Sequence, residues 1–283
     1  MVKEAIKKAD VLIEALPYIK EFHKCVFVIK YGGSILGEER VRKSVLEDIA
    51  FLRYSGIRPI LVHGGGPNIT GRLKELKVQT EFVDGLRVTD QATLDVVGEE
   101  LDKLNDLIVD EINSHHSLAQ GFKSKDGLLF VKKKDYHKEL GFVGEIVDCD
   151  YDRLVSALNI SIPVITPMGI TADGTVYNIN ADDVAYFIAA KLKAEKLVLL
   201  TDVLGVMRQA NDETSLFPSL TLDQIDGLIK DKVIAKGMIP KVMAAVRAIE
   251  KGVKKSHIVD AKISHALLLE IFTDQGVGTE IIL

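Results

Sequence analysis

Ile60-Leu61-Val62-His63-Gly64-Gly65-Gly66-Pro67 runs an apolar strand directly into three consecutive glycines. Without Cβ atoms the main chain there is bare, and its N–H groups can approach a ligand that side chains would hold off. In an α/β sheet a turn of this kind sits at the carboxyl end of a strand, where ligands bind. Clustered N–H donors suit an anion. A second element of the same design lies upstream, Val26-Phe27-Val28-Ile29-Lys30-Tyr31-Gly32-Gly33-Ser34. Two glycine loops facing one anionic substrate, with a lysine beside them, is the reading the pair supports.

The rest of the chain is that of an ordinary globular protein: 283 residues, 47% hydrophobic and 27% charged. A net charge of −5 gives no basic footprint for nucleic acid or an anionic membrane. The lysine runs Lys132-Lys133-Lys134 and Lys254-Lys255 read as solvated faces. Cys25 and Cys149 fit neither a metal spacing nor a redox pair. No signal-peptide pattern and no run of membrane-spanning length is present, so the cytoplasm is the expected location.

Continuous apolar runs alternate with helix-period segments, which predicts a mostly parallel sheet. Buried strands are expected at 26–30, 58–63, 163–166, 196–200 and 256–259. Helices are expected near 41–55, 91–113, 181–194, 222–230, from 241 onward, and at 264–272. The 91–113 segment carries Leu94, Val97, Leu101, Leu104, Ile108 and Ile112 as a single stripe. Residues 127–150 read as hairpin strands. An amphipathic helix with Ile6, Ala9, Ile13 and Leu16 precedes the first strand, with Pro17 expected to kink or end it. Three segments follow: an N-terminal helix (1–22), a lobe binding the acceptor substrate (23–194) and a nucleotide lobe (195–283), sharing one sheet.

Common nucleotide fingerprints are absent: there is no G-x-x-x-x-G-K-[ST], and no G-x-G-x-x-G follows a strand. His-Gly-Gly-Gly also occurs in lipase-type oxyanion holes, but that chemistry needs a G-x-S-x-G elbow. The nearest stretch, Gly32-Gly33-Ser34-Ile35-Leu36, fails at its last position. Singly, the other features are ambiguous. Lys30 reads as a snorkelling lysine or as a cation in the loop mouth. Asn178-Ile179-Asn180-Ala181-Asp182 reads as a helix cap or a site, and Gly237-Met238-Ile239-Pro240-Lys241 as a helix start or a site.

Their order is more specific. Val28-Ile29-Lys30-Tyr31-Gly32-Gly33, Val62–Pro67, Asp84-Gly85-Leu86-Arg87-Val88-Thr89-Asp90, Asn178–Asp182, Leu199-Leu200-Thr201-Asp202-Val203 and Gly237–Lys241 together resemble the N-acetyl-L-glutamate kinase family of the amino acid kinase superfamily. The resemblance runs from about residue 11 to the C-terminus. It implies a three-layer αβα sandwich, and phosphoryl transfer from ATP to the side-chain carboxylate of N-acetyl-L-glutamate in arginine biosynthesis. It also implies roles. Lys30 and Lys241 flank the transferring phosphoryl group, and Asp182 organises both. The backbone of Gly33, Gly64 and Gly65 receives the developing charge. Gly85, Leu86, Arg87 and Asn178 bind the substrate, with Arg87 on its α-carboxylate, and Thr201, Asp202 and Gly205 hold the nucleotide. Mg²⁺ arrives with ATP rather than in a protein cage.

The tail, His257-Ile258-Val259-Asp260-Ala261-Lys262 followed by His265–Asp274 and Gly276-Val277-Gly278-Thr279, is similar to that of arginine-inhibited members. By that likeness Lys196, His257, Glu270 and Gly276 surround a regulatory arginine, and the N-terminal helix links dimers into a hexamer, a trimer of dimers. Two stretches depart from the pattern. Asp260-Ala261-Lys262 stands where such relatives carry Asp-Gly-Arg, and His115-His116-Ser117-Leu118-Ala119-Gln120-Gly121 where they carry a glycine pair and Ala-Val-Gly. Two rivals stay open: a kinase of the aminoadipate type, sharing an α-carboxylate and masked amine, and a regulatory module binding arginine or a PII-type protein.

Overall fold

The computed structural model describes residues 2–209, 212–235 and 237–283. The first part of the chain forms α1 (Val2–Glu21), β1 (Val26–Tyr31), α2 (Gly33–Leu36), α3 (Glu39–Tyr54), β2 (Arg58–His63), α4 (Gly66–Glu75), β3 (Phe82–Val83), β4 (Leu86–Arg87) and α5 (Gln91–Ser114). Next come β5 (Ala119–Phe122), β6 (Leu129–Lys133), β7 (Gly144–Cys149), α6 (Tyr151–Ile160), β8 (Ile162–Ile165), β9 (Met168–Ile170), β10 (Val176–Asn178) and α7 (Ala181–Leu192). The last part contains β11 (Lys196–Thr201), β12 (Ser219–Thr221), α8 (Leu222–Lys230), α9 (Met238–Glu250), β13 (Lys255–Asp260), α10 (Ala266–Phe272) and β14 (Thr279–Ile282).

The main sheet has the order β12-β14-β13-β11-β1-β2-β8-β5, and every pairing except β13–β14 is parallel. β11 is buried along its whole length, as its unbroken apolar run requires. Side chains alternate across the sheet, so each strand feeds two cores. Val28, Ile60, Val62, Leu197, Leu199 and Ile258 pack with residues of α6, α7, α8 and α9. Phe27, Ile29, Tyr31, Leu61, Val198, Leu200 and Val259 pack with α3, α5 and α10. The result is the expected αβα sandwich. The predicted α5 stripe is buried at all six positions, and the predicted hairpin is the β6–β7 pair of a second sheet ordered β10-β9-β6-β7.

Of the two outcomes expected at Pro17, a kink or an end, the helix does not end there. Pro17 lies inside α1, which continues unbroken to Glu21. Proline removes one amide donor, but this helix lies on the surface, with Ile13 and Leu16 exposed, where water can satisfy the freed carbonyl. Ala15, Tyr18, Ile19 and Phe22 dock on the α3–α10 core, which leaves Ile6, Ile13 and Leu16 on the outer side of the helix. Among the described residues no helix is long and apolar enough to cross a membrane.

Candidate functional site

β1 and β2 are in register, Lys30 beside Val62 and Tyr31 beside His63, so their glycine segments leave the sheet side by side. Gly32 caps α2 and Gly65 caps α4, and the first amides of a helix have no intrahelical acceptor. The two loops nearly touch. A Cβ on Gly33 would lie 2.7 Å from the Gly66 nitrogen and 2.8 Å from that of Gly65, so only bare main chain fits. The Gly64 amide, expected among the anion donors, instead donates to the Tyr31 carbonyl at 2.9 Å. It continues the ladder of the parallel strands, and Gly64 meets the cavity without offering that proton.

Sheet alternation directs Lys30 to the α7–α9 side, the side of Val28. There its Nζ lies 2.9 Å from Asp182 Oδ1, and Lys241 Nζ lies 3.9 Å from Asp182 Oδ2. Asn180 caps α7 by accepting the Asp182 amide at 2.8 Å, which fixes the carboxylate in the first helical turn. Burial alone would raise the Asp182 pKa; the two ammonium groups more than offset it and hold the carboxyl below its ordinary range. Burial pulls Lys241 down, against the attraction of Asp182.

Asp84 and Gly85 both take positive φ, 49° and 82°, which makes β3–β4 a two-residue hairpin of the Asp-Gly kind. The hairpin carries Arg87 to the cavity, its guanidinium 4.6 Å over the Phe82 ring. Nη2 donates to Thr70 Oγ1 at 2.9 Å and to the Gly66 carbonyl at 3.2 Å. Nη1 is buried without a partner. Asn178, at the end of β10, donates its side-chain amide to Thr89 Oγ1 at 3.3 Å.

Lys30, Gly33, Arg87, Asn178, Asp182 and Lys241 thus line one cavity of about 330 Å³, with Gly64, Gly65, Gly85 and Leu86 in the same wall. Thr201, Asp202 and Gly205 do not line it. Thr201 is buried at the carboxyl end of β11 and donates to Asp202 Oδ1 at 3.2 Å. Asp202 acts electrostatically on Lys241. Gly205 packs closely on the end of the sheet: a Cβ there would lie 2.5 Å from Thr279 Oγ1, which accepts the neighbouring Val206 amide. Among the described residues no cluster of three or more His, Cys, Asp or Glu side chains could hold a metal ion.

The same alternation sends Lys196 and His257 to the opposite face, at the amino ends of β11 and β13. They meet Glu270 and Gly276 in a second cavity of about 360 Å³, bounded also by Tyr18 of α1. Lys196 Nζ donates to His257 Nε2 at 3.1 Å, and His257 Nδ1 to Glu270 Oε1 at 2.7 Å. Glu270 Oε2 accepts the Val277 and Gly278 amides at 2.7 and 2.9 Å. Burial lowers His257 despite Glu270. Burial alone would raise Glu270, but the His257 bond and the two amides bring it down. Gly276 takes φ 61°, and a Cβ would lie 2.8 Å from Glu270 Oε2. Ala261, standing where a glycine was expected, does not take positive φ and sits in the core at 1% exposure.

Several residues around both cavities escaped the motif reading. Phe82, Thr70 and Thr89 shape the setting of Arg87 and Asn178; Lys255, Asp274 and Glu280 line the second cavity. Asn105 had a usable signal, a polar residue directly beside the apolar stripe of α5, and it is fully buried.

The profile of the amino acid kinase family matches residues 26–260. The chain is 48% identical to an acetylglutamate kinase of Aquifex aeolicus, over 99% of both chains. It is 45% identical to one from Caldanaerobacter subterraneus subsp. tengcongensis, over 98% of this chain and 94% of that one. The crystallised N-acetylglutamate synthase of Neisseria gonorrhoeae, in complex with coenzyme A and N-acetyl-glutamate, superposes with a TM-score of 0.88 at 24% identity, covering 97% of this chain and 63% of that longer one. That last likeness concerns the fold.

Proposed function

The chain belongs to the amino acid kinase family, and within it to the acetylglutamate kinases; from that premise we propose how its residues divide the work of the reaction. The reaction is ATP-dependent phosphorylation of N-acetyl-L-glutamate on its side-chain carboxylate. A carboxylate oxygen bonds to the γ-phosphorus, the bond from that phosphorus to the bridging oxygen of ATP breaks, and an acyl phosphate and ADP result. Both reactants are anions, so catalysis consists of holding them in line and lowering their repulsion.

Lys30 neutralises the side of the attacking carboxylate and Lys241 the side of the leaving ADP. Asp182 holds both ammonium groups at the cavity, bonding Lys30 and attracting Lys241. The Gly33 and Gly65 amides receive oxygens of the phosphoryl group in transfer, as in an oxyanion hole. The unpartnered Nη1 of Arg87 awaits the substrate α-carboxylate, and Asn178 faces the N-acetyl end. Thr201, Asp202 and Gly205 border the nucleotide, which brings its own Mg²⁺. The observation that carries this reading is the Lys30–Asp182–Lys241 arrangement beneath two abutting glycine loops. Its test is ATP consumption, compared side by side with N-acetyl-L-glutamate, N-acetylaminoadipate and glutamate. Preference for the aminoadipate compound would overturn the substrate assignment. Turnover that survives Lys241→Ala unchanged would overturn the clamp.

The second cavity favours a regulatory role as well. Lys196, His257, Glu270 and Gly276 meet there, with Lys255, Asp274 and Glu280 adding both signs of charge. Such a lining suits a ligand with a carboxylate, an ammonium and a guanidinium, and L-arginine, a feedback signal in the cytoplasm, fits it. The exposed Ile6, Ile13 and Leu16 of α1 favour a partner helix from another subunit, in an assembly of dimers.

A further inference from the structure

His63 closes β2 and precedes the glycine triplet, yet it does not touch the substrate cavity. It is fully buried and on the opposite side of the sheet from Lys30, toward α5. Its Nδ1 lies 3.1 Å from the Gly64 carbonyl. Its Nε2 lies 3.2 Å from Asn105 Nδ2 and 3.2 Å from Thr166 Oγ1. Asn105 Nδ2 also donates to the Val164 carbonyl at 3.0 Å. A carbonyl only accepts, so the Asn105 atom facing it is the nitrogen, and its second hydrogen goes to His63 Nε2. Nε2 is therefore the unprotonated nitrogen, and Nδ1 carries the proton.

Burial pushes the His63 pKa down to about 4, so the imidazole is neutral and this tautomer persists across the physiological range. Gly121 completes the network. A Cβ there would lie 2.2 Å from Asn105 Oδ1, so the glycine gives the amide room to keep its orientation.

The consequence lies one peptide further on. All peptide bonds of the described residues are trans, and in a trans peptide the C=O and N–H point in opposite directions. Drawing the Gly64 oxygen toward His63 turns the Gly65 N–H the other way, toward the cavity that Gly65 lines. We infer that His63 is a positioning residue for phosphoryl transfer, its Nδ1–H locking the Gly64–Gly65 peptide so that the Gly65 amide faces the transferring group. The inference rests on the proposed role of that amide.

Two substitutions separate the two ring nitrogens. In His63→Asn the amide can stand in for Nδ1, whereas in His63→Gln it reaches only the place of Nε2. With ATP and N-acetyl-L-glutamate, His63→Asn is expected to keep kcat within about fivefold. His63→Gln is expected to lose kcat by about 10²-fold, the loss typical of one misplaced oxyanion donor, with both KM values little changed. Affinity for MgADP with aluminium fluoride, a mimic of the group in flight, should fall by the same factor. Equal losses in the two variants, or a loss carried by KM, would overturn the inference.

Nitrogen-15 resonances of His63 in the unsubstituted protein give a readout that needs no variant to fold. They should report an Nδ1–H, Nε2-unprotonated ring at neutral pH, and the opposite tautomer would overturn the inference. Lys241→Ala run in parallel keeps the two levels apart. If it loses turnover while both His63 variants keep theirs, the clamp stands and the role of His63 falls; if it keeps turnover, both fall.

Discussion

Lys30 Nζ and Asp182 Oδ1 lie 2.9 Å apart, with both residues more than nine-tenths buried. A charge pair this far from water is a poor stabilising device, because desolvation offsets most of the Coulomb gain. Its position at the carboxyl end of β1, with Lys241 on the other carboxylate oxygen, fits an anion-handling role better. Asp182→Asn should therefore hurt twice. Removing one partner leaves Lys30 buried and uncompensated, at about 3–5 kcal/mol, which a denaturant titration reads. Turnover should fall by at least 10²-fold even at temperatures where the variant is folded. A variant that melts earlier but turns over normally would make the triad purely structural.

Arg87 tests the acceptor end. Its Nη2 is spent on Thr70 and Gly66 while Nη1 is free, a fork with one tine anchored. Lysine cannot make both contacts. Arg87→Lys is expected to raise KM for N-acetyl-L-glutamate about 10–100-fold, as for loss of a charged hydrogen bond, with kcat and the KM for ATP nearly unchanged. A drop confined to kcat would place Arg87 nearer the transferring group than proposed.

The site was legible where local sequence and sheet geometry coincide. Apolar strands ending in glycine announced Gly33 and Gly65, and alternation along 26–31 puts Lys30 and Ile29 on opposite faces, which sends Lys30 to α7. Tertiary contacts were not legible. Nothing local shows that the Gly64 amide is taken by Tyr31, since that bond belongs to the pairing of β1 with β2. Nor does anything local show that Gly205 packs against Thr279, 74 residues away, a contact beyond the reach of any motif. Pro17 does not end α1, because its penalty depends on whether water reaches the freed carbonyl.

L-Arginine at millimolar concentration should reduce turnover of the unsubstituted chain and raise its melting temperature by mass action. His257→Asn should keep uninhibited activity, since His257 lies on the face of the sheet away from Lys30, and should lose the arginine response. A flat response of the unsubstituted chain, in both turnover and melting, would remove arginine from the second cavity.

The outer side of α1 makes a prediction about assembly. Tyr18, Ile19 and Phe22 anchor the helix to its own core, so charge placed further out should spare the fold. Ile13→Glu with Leu16→Glu should convert a hexamer to dimers by light scattering, with specific activity retained. A mass that does not change would show that these side chains meet no second subunit.

Asp48 gives a pH dependence with a definite sign. It is fully buried on α3, with Oδ1 2.6 Å from His265 Nδ1. Burial raises its carboxyl to about 6, and the His265 bond only moderates the shift. The folded state thus keeps its proton at pH values where the unfolded chain, with an ordinary carboxyl, has lost it. Stability from this group is fully present below about pH 4 and drains away as pH rises through 6. Asn cannot ionise, and its Oδ1 still accepts from His265. The stability difference between Asp48→Asn and the unsubstituted chain should therefore shift in favour of the variant between pH 4 and 7. The total shift should be about 3 kcal/mol, from two pKa units at 1.36 kcal/mol each. Urea titrations of both chains at pH 4, 5, 6 and 7 read that difference directly. A gap that stays constant with pH would mean that water reaches Asp48 and that its carboxyl ionises as it does in the unfolded chain.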